Sequence, residues 1–250
     1  MTDLEIRPEG TDTATPLNLA KRLRLIEEIA GPLEGKRIID CGCGAGEYVR
    51  ELGRRGGHVY GFEYQTQKLL GSASDSAGDR LAAGDIQNIP FPDASFDLAI
   101  VNEVLEHVPD DLAGLREVRR ILKPTGTLIV LSPNRLHPFE THGVYLKGSD
   151  RRLSHALPFI PYIPIPLGRK FLRYWARNYW PWELRDLIRR AGFKVESSHF
   201  VWQTFENISG HQPAWIAALR PLLRGIANGM ERLPLISKLG VSQVIGATLE

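Results

Sequence analysis

Apolar residues in the first half of the chain alternate between two periods. Leu19, Leu23, Ile26 and Ile29 fall at helical spacing over 17–29, and Gly31-Pro32 ends that helix. Lys36–Asp40, with Ile38-Ile39 at its centre, reads as a short buried strand running straight into Gly42-Cys43-Gly44-Ala45-Gly46. Glu47 to Arg55 predicts the helix behind that turn, closed by Gly56-Gly57. His58–Phe62, closed by Glu63, predicts a second strand, and 65–72 a second helix behind it. Arg80–Gly84, followed by Asp85, predicts a short third strand, and Phe96–Asn102 a fourth. Leu112–Leu122 carries Leu115, Val118, Ile121 and Leu122 on one helical face. Lys123-Pro124-Thr125-Gly126 reads as a turn and Thr127–Leu131 as a fifth strand.

Strands alternating with helices in this way predict an α/β domain with a mainly parallel sheet. Right-handed crossovers then place the ligand crevice at the carboxyl ends of the strands. The glycine turn, Glu63, Asp85 and Asn102 all fall at those ends.

The second half is patterned differently. Residues 132–180 are rich in proline and aromatics and show little periodicity. Pro181–Arg190 predicts a helix with Trp182, Leu184, Leu187 and Ile188, and Lys194–Val201 a strand. Ala214–Leu233 predicts a helix with Trp215, Leu219, Leu222, Leu223, Ile226 and Met230 on one face and a kink at Pro221; Val241–Leu249 is a final strand.

Composition narrows the classes. The chain has 250 residues, 43% hydrophobic and 24% charged, with a formal net charge of +2, the profile of a soluble globular protein that does not require a nucleic-acid partner. The two cysteines, Cys41 and Cys43, are one residue apart, which gives no disulfide framework and points to a reducing, cytoplasmic setting. Two thiols without a partner pair are a poor zinc site, so no metal is expected from them. Met1–Glu9 has no apolar run to suggest a signal peptide. The uncharged stretch Ala156–Leu167 is too short for a membrane-spanning helix and carries four prolines. The expectation is a soluble chain, attached at most to a membrane surface.

The candidate chemistry gathers at the glycine turn. Glycines allow a sharp bend and let a ligand approach without meeting a Cβ, and the helix that follows offers free N–H groups and a positive dipole end. Its spacing is G-x-G-x-G, not the dinucleotide G-x-G-x-x-G, and Asp40 stands two residues before the first glycine. An acid there repels a pyrophosphate and attracts a cationic amine or sulfonium. Glu63, 23 residues after Asp40, suits a pair of ribose hydroxyls. Asp85 suits an adenine amino group with Ile86 packing on the ring, although Asp is also a common turn former.

Asp40–Gly46, Gly61-Phe62-Glu63, Gly84-Asp85-Ile86, Phe96-Asp97 through Asn102-Glu103-Val104-Leu105-Glu106-His107-Val108, and Arg116–Leu128 occur in order. With these motifs the chain resembles the class I S-adenosylmethionine-dependent methyltransferases of small-molecule type. Thr125 departs from the pattern, standing where the family often has a second glycine. The resemblance covers about 17–132 well and implies a Rossmann-like, seven-stranded, mostly parallel sheet with helices on both faces and one antiparallel strand in its last pair. It implies a single methyltransferase domain over 1–250: a cofactor-binding core at 17–132, an inserted lid and substrate region at 133–190, and C-terminal strands and helix at 191–250. The cofactor set it implies is Asp40, Gly42, Cys43, Gly44 and Gly46 for the methionine part, Glu63 and neighbouring Tyr64 for the ribose, and Asp85 and Ile86 for the adenine. Asn102 and Glu103 line the floor beneath the methyl group, with His107 touching the cofactor. Glu103, Glu106 and His107 are also candidate ligands or bases, against the structural reading in which acids are favoured near a helix start.

The loop after the fifth strand, Ser132 to Gly143, leaves the sheet over the expected methyl group. His142 is the candidate general base there, because an imidazole titrates near neutrality, and Glu140 the candidate to orient it or bind substrate. His137 is a weaker candidate. Arg151–Trp180 contains six Lys or Arg, no acid and seven aromatics. It reads as a lid over a substrate pocket, as a surface meeting anionic lipid, or as a nucleic-acid contact. The expected reaction is methyl transfer to a hydroxyl of a sugar, lipid-linked or other small-molecule acceptor. A methyltransferase for nucleic acid or protein, and a non-catalytic S-adenosylmethionine-binding protein, are the alternatives.

Overall fold

Buried strands at the centre of a parallel sheet read as near-continuous apolar runs, and the innermost strand here shows it. β1 (Arg37–Cys41) keeps Ile38, Ile39 and Cys41 fully buried between β2 (His58–Glu63) and β4 (Phe96–Asn102), to which it pairs in parallel. The computed structural model describes residues 16–70, 80–151, 153, 157–174, 176–205 and 214–250. Expectations for 1–15, for the end of the second helix at 71–72, for Ala156 and for the Trp215 side chain lie outside the described residues.

β3 (Leu81–Ala83), β5 (Leu122–Pro133), β8 (Phe193–Val201) and β9 (Ser242–Leu249) complete a seven-stranded sheet in the order β3-β2-β1-β4-β5-β9-β8. β9 pairs antiparallel with both β5 and β8, which is the single reversed strand expected. Alternate strand residues go to opposite faces. Ile39, Val101 and Val130 meet Leu115 and Val118 of α4 (Asp111–Ile121) and Leu184 and Ile188 of α6 (Pro181–Arg190). Ile38, Ile100 and Ile129 meet Leu23 and Ile26 of α1 (Pro16–Ala30) and Val49 and Leu52 of α2 (Glu47–Arg54). Burial of each such side chain contributes about 1.5–3 kcal/mol. Chain order runs outward from β1 in one direction and from β4 in the other, so the crevice opens between the carboxyl ends of β1 and β4.

Two sequence expectations change, and the aperiodic stretch gains detail. The 123–126 turn is absorbed into β5, which starts at Leu122 and shows a register irregularity against β4 between Phe96 and Leu98. α7 (Ala214–Glu231) contains Pro221, and its apolar positions Leu219, Leu222 and Ile226 face outward while Ala227 is buried. The described residues of the aperiodic stretch 132–180 carry local structure. Three-residue strands β6 (Val144–Leu146) and β7 (Leu172–Tyr174) pair antiparallel, and the Arg135 guanidinium donates to the carbonyls of Pro161 at 2.7 Å and Ile163 at 2.9 Å.

Candidate functional site

The bend after β1 is built on left-handed backbone. Gly42, Gly44 and Gly46 have φ of +80°, +53° and +76°, a region that side chains occupy only with strain. At Gly42 there is no space either: a Cβ would lie 2.4 Å from Val104 Cγ2. At Gly44 a Cβ would meet nothing within 4 Å, which leaves that side of the bend open to a ligand. The bend is tied to β2 by the N–H groups of Gly42 and Cys43, which donate to the Phe62 carbonyl at 2.8 and 2.9 Å.

Glu63 braces the same bend. One carboxylate oxygen accepts from Gly44 N–H at 2.9 Å and the other from Gln65 N–H at 2.8 Å. Each oxygen keeps a second lone pair for a ribose hydroxyl. Tyr64 beside it is 62% exposed. Asp40 is 2% exposed, and its Oδ2 has no hydrogen-bond partner. Burial, together with the nearby Glu63 charge, pushes its carboxyl up to about 7. A buried acid without a partner is suited to a cationic ligand group, so the residues present fit the sulfonium and ammonium of S-adenosylmethionine. Burial and the neighbouring acids hold the Cys43 thiol far above its ordinary range, so it meets a ligand as a neutral, apolar group.

Asp85 forms a turn, accepting from Gln87 N–H at 2.9 Å through Oδ1. Its turn role is therefore present, with acceptor capacity to spare on Oδ2. Ile86 is committed to the core and packs on α4 where Gly114 leaves room, so its side chain is an interior support and not an open face.

Beneath the bend lies a buried polar network that the sequence showed only in part. Arg22 of α1 donates to Asn102 Oδ1 at 2.7 Å and to Glu103 Oε1 at 2.8 Å, and the Ser242 hydroxyl donates to the same Oε1 at 3.0 Å. Glu103 itself has φ +54°. Burial alone would raise its carboxyl, but the Arg22 charge, His142 and the hydrogen bonds outweigh that and hold it at about 2. Glu106, in the short turn Leu105–His107, is fully buried; burial and then the Glu103 charge push its carboxyl well above the usual range. Arg22 was not anticipated, although its position among Leu19, Leu23 and Ile26 puts a cation on an apolar stripe, which is a legible signal.

The loop after β5 brings His142 over this network. Its Nε2 lies 3.6 Å from Glu103 Oε2 and 3.7 Å from Glu106 Oε1, and its ring is 5.5 Å from that of His107. Glu140 acts on His142 through the backbone: it accepts from His142 N–H at 2.9 Å and from Asn178 Nδ2 at 2.7 Å, which fixes the loop. His137 bonds the Leu239 carbonyl at 2.9 Å and serves the loop's structure.

Comparison with known proteins agrees with the fold. A family profile described as "Methyltransferase domain" matches residues 39–130. The chain is 36% identical over 214 residues to a demethylmenaquinone methyltransferase of Corynebacterium kroppenstedtii, covering 85% of each chain. It is 27% identical over 201 residues to a ubiquinone biosynthesis O-methyltransferase of Neisseria meningitidis serogroup C, covering 76% of this chain and 79% of that one. Among solved structures it resembles an S-adenosylmethionine-dependent methyltransferase from Mesorhizobium loti, with a TM-score of 0.58 and 20% identity over 90% of this chain and 95% of that one. It also resembles the [4+2]-cyclase SpnF, with a TM-score of 0.60 and 20% identity over 96% of this chain and 85% of that one. At such identity these two likenesses speak for the fold alone.

Proposed function

Because the chain belongs to the class I S-adenosylmethionine-dependent methyltransferases, we propose that its small-molecule acceptor is a lipid-carried ring of the quinol kind, methylated on a hydroxyl oxygen. The observation that carries this reading is the partly buried His142–Glu103–Glu106 cluster beside the glycine bend, which sets proton-handling groups next to a cationic-ligand site. Relatives named for demethylmenaquinone and ubiquinone support the acceptor class.

Asp40 holds the cationic methionine part, and Gly42, Cys43, Gly44 and Gly46 let it approach the backbone. Glu63 takes the ribose hydroxyls with Tyr64 alongside, and Asp85 takes the adenine amino group above the Ile86 support. Asn102, Glu103 and His107 form the floor. When bound, the cofactor supplies a methyl group already activated on sulfur, so the protein's task is positioning. Glu140 fixes the loop, and His142 presents Nε2 to the acceptor oxygen.

The lid at 133–190 supports a lipid-carried acceptor. Phe159 and Phe171 are 59% and 66% exposed, Leu157 and Leu167 are exposed as well, and Arg169 and Lys170 are exposed beside them. Apolar side chains next to cations suit the interface of an anionic membrane. Among the described residues no helix is long and apolar enough to cross a membrane.

The test is methyl transfer from labelled S-adenosylmethionine to a panel of prenylated quinols, short-chain quinols, sugars and RNA, with products fragmented by mass spectrometry. A methyl ether on a prenylated quinol is the expected product. Transfer to carbon, or to sugar or RNA alone, overturns the acceptor. Co-sedimentation with anionic but not neutral vesicles is expected, and equal binding to both overturns the headgroup contact.

A further inference from the structure

α7 turns its apolar side away from the protein. Leu219, Leu222 and Ile226 recur at spacings of three and four along it, and Leu233 and Leu235 continue the apolar surface beyond its end; each is at least 40% exposed. Among the described side chains of α7 only Ala227 is buried. Pro221, Gly225 and Gly229 are weak helix formers, so α7 depends on packing more than on its own propensity.

We propose that this face is the contact between two copies of the chain, related by a twofold axis, with α7 packed antiparallel on α7. The face is complementary to itself. Gly225 and Gly229 are exposed beside Leu222 and Ile226, and a Cβ at either glycine would meet nothing within 4 Å, so a second helix can approach there. In an antiparallel pair crossing between 225 and 226, Ile226 of each copy lies over Gly225 of the other, and Leu222 over Gly229. One patch then serves both copies, as a closed twofold contact requires. Arg232 falls opposite Leu219 of the other copy, so this exposed cation does not face its own symmetry mate.

The area is sufficient. Five large apolar side chains at this exposure present on the order of 500 Å² per copy, so a pair covers about 1,000 Å², the size at which specific association begins.

An anionic membrane is the competing occupant. A helix lying in a membrane interface keeps its charged face free for water and headgroups. Arg220 and Arg224 stand two residues from Leu222 and Ile226, on the opposite side of the helix, and their Nε atoms are buried. Glu231, the one acid in 214–239, also lies on that side and pairs with Lys21 of α1 at 2.5 Å. The charged side of α7 is thus turned to the protein, and its apolar, glycine-notched outer side suits another helix better than a headgroup layer.

The contact does not involve the methyl acceptor, so its test is separate from that of the transfer reaction. Full-length protein is examined by sedimentation equilibrium from micromolar to hundreds of micromolar concentration, and twice the 28.0 kDa chain mass is expected. Leu222→Glu and Ile226→Glu should each weaken the association at least about tenfold. Gly229→Leu, which fills the notch, should do the same, and Leu167→Glu on the lid should leave it unchanged. These positions are exposed, and an unchanged far-ultraviolet circular dichroism spectrum shows that each variant is folded. A gentler substitution reads the register: Ile226→Cys is expected to form a disulfide between copies under mild oxidation, and Glu28→Cys on α1 is not, the native Cys41 and Cys43 being buried. A wild type that stays monomeric, a dimer that Leu222→Glu and Ile226→Glu leave intact, or an Ile226→Cys chain that does not cross-link overturns the proposal. A monomeric wild type whose binding to anionic vesicles is lost in Leu222→Glu overturns it too and assigns the face to lipid.

Discussion

Asp40→Asn removes a buried negative charge with almost no change in shape. In the empty protein, burial and Glu63 lift the Asp40 carboxyl from 3.8 to about 7. That is about three units, and at about 1.4 kcal/mol per unit the ionised form costs the empty fold on the order of 4 kcal/mol above neutrality. The sign follows from proton counting. Between the two values the native state holds a proton that the unfolded state has lost. Stability of the empty protein therefore falls as pH rises from about 4 through about 7, then levels off. A cationic ligand favours ionised Asp40, so S-adenosylmethionine binding near about pH 6 releases a proton, and binding near about pH 8.5 releases almost none. Urea denaturation across this range reads the first effect. Calorimetry in two buffers of different ionisation enthalpy reads the second. Asp40→Asn should flatten the pH slope attributable to this group, remove the proton release, stand more firmly than wild type above neutrality, and bind S-adenosylmethionine about 10–100-fold more weakly, the equivalent of one charge-assisted contact. An unchanged slope together with an unchanged proton count would refute the reasoning.

Three further substitutions test the surroundings of the bend, and a fourth is a surface control. Gly42→Ala forces a Cβ to 2.4 Å from Val104 at φ +80° and should cost about 1–3 kcal/mol by urea denaturation, with cofactor affinity lost in parallel. Glu63→Gln puts an amide where two oxygens now accept from Gly44 and Gln65; a drop in cofactor affinity of about 10–100-fold is expected by calorimetry, and a silent variant would remove Glu63 from the site. Arg22→Met strands the Glu103 carboxylate and should cost about 3–5 kcal/mol. Arg55→Met breaks only half-exposed surface pairs and should cost less than about 1 kcal/mol, so equal costs would show that the buried network matters no more than the surface.

The half of the fold that positions the cofactor was legible because its signals are local. β1, the bend and α2 are contiguous, and the central strands are buried on both faces and so appear as near-continuous apolar runs. Glu63, Asp85 and Asn102 were found by their place at strand ends. The acceptor side resisted because its contacts span long separations. Arg22 reaches Glu103 across 81 residues, and His142 meets Glu103 through a loop whose course depends on Glu140 accepting from the backbone. The lid offered no period to read, since its order comes from a pair of three-residue strands and from one arginine bonding two carbonyls. The outward face of α7 was misleading in a different way, because an amphipathic pattern does not state which side meets the core.

A crystal of the protein grown with S-adenosylhomocysteine offers the most direct check. Electron density for the nucleoside should lie across the ends of β1 and β4, with both ribose hydroxyls on Glu63, the amino group at the bend near Asp40, and the sulfur turned toward Glu103 and His142. A nucleoside bound elsewhere, or one in this crevice whose ribose ignores Glu63 and whose sulfur faces away from His142, would contradict the proposed site.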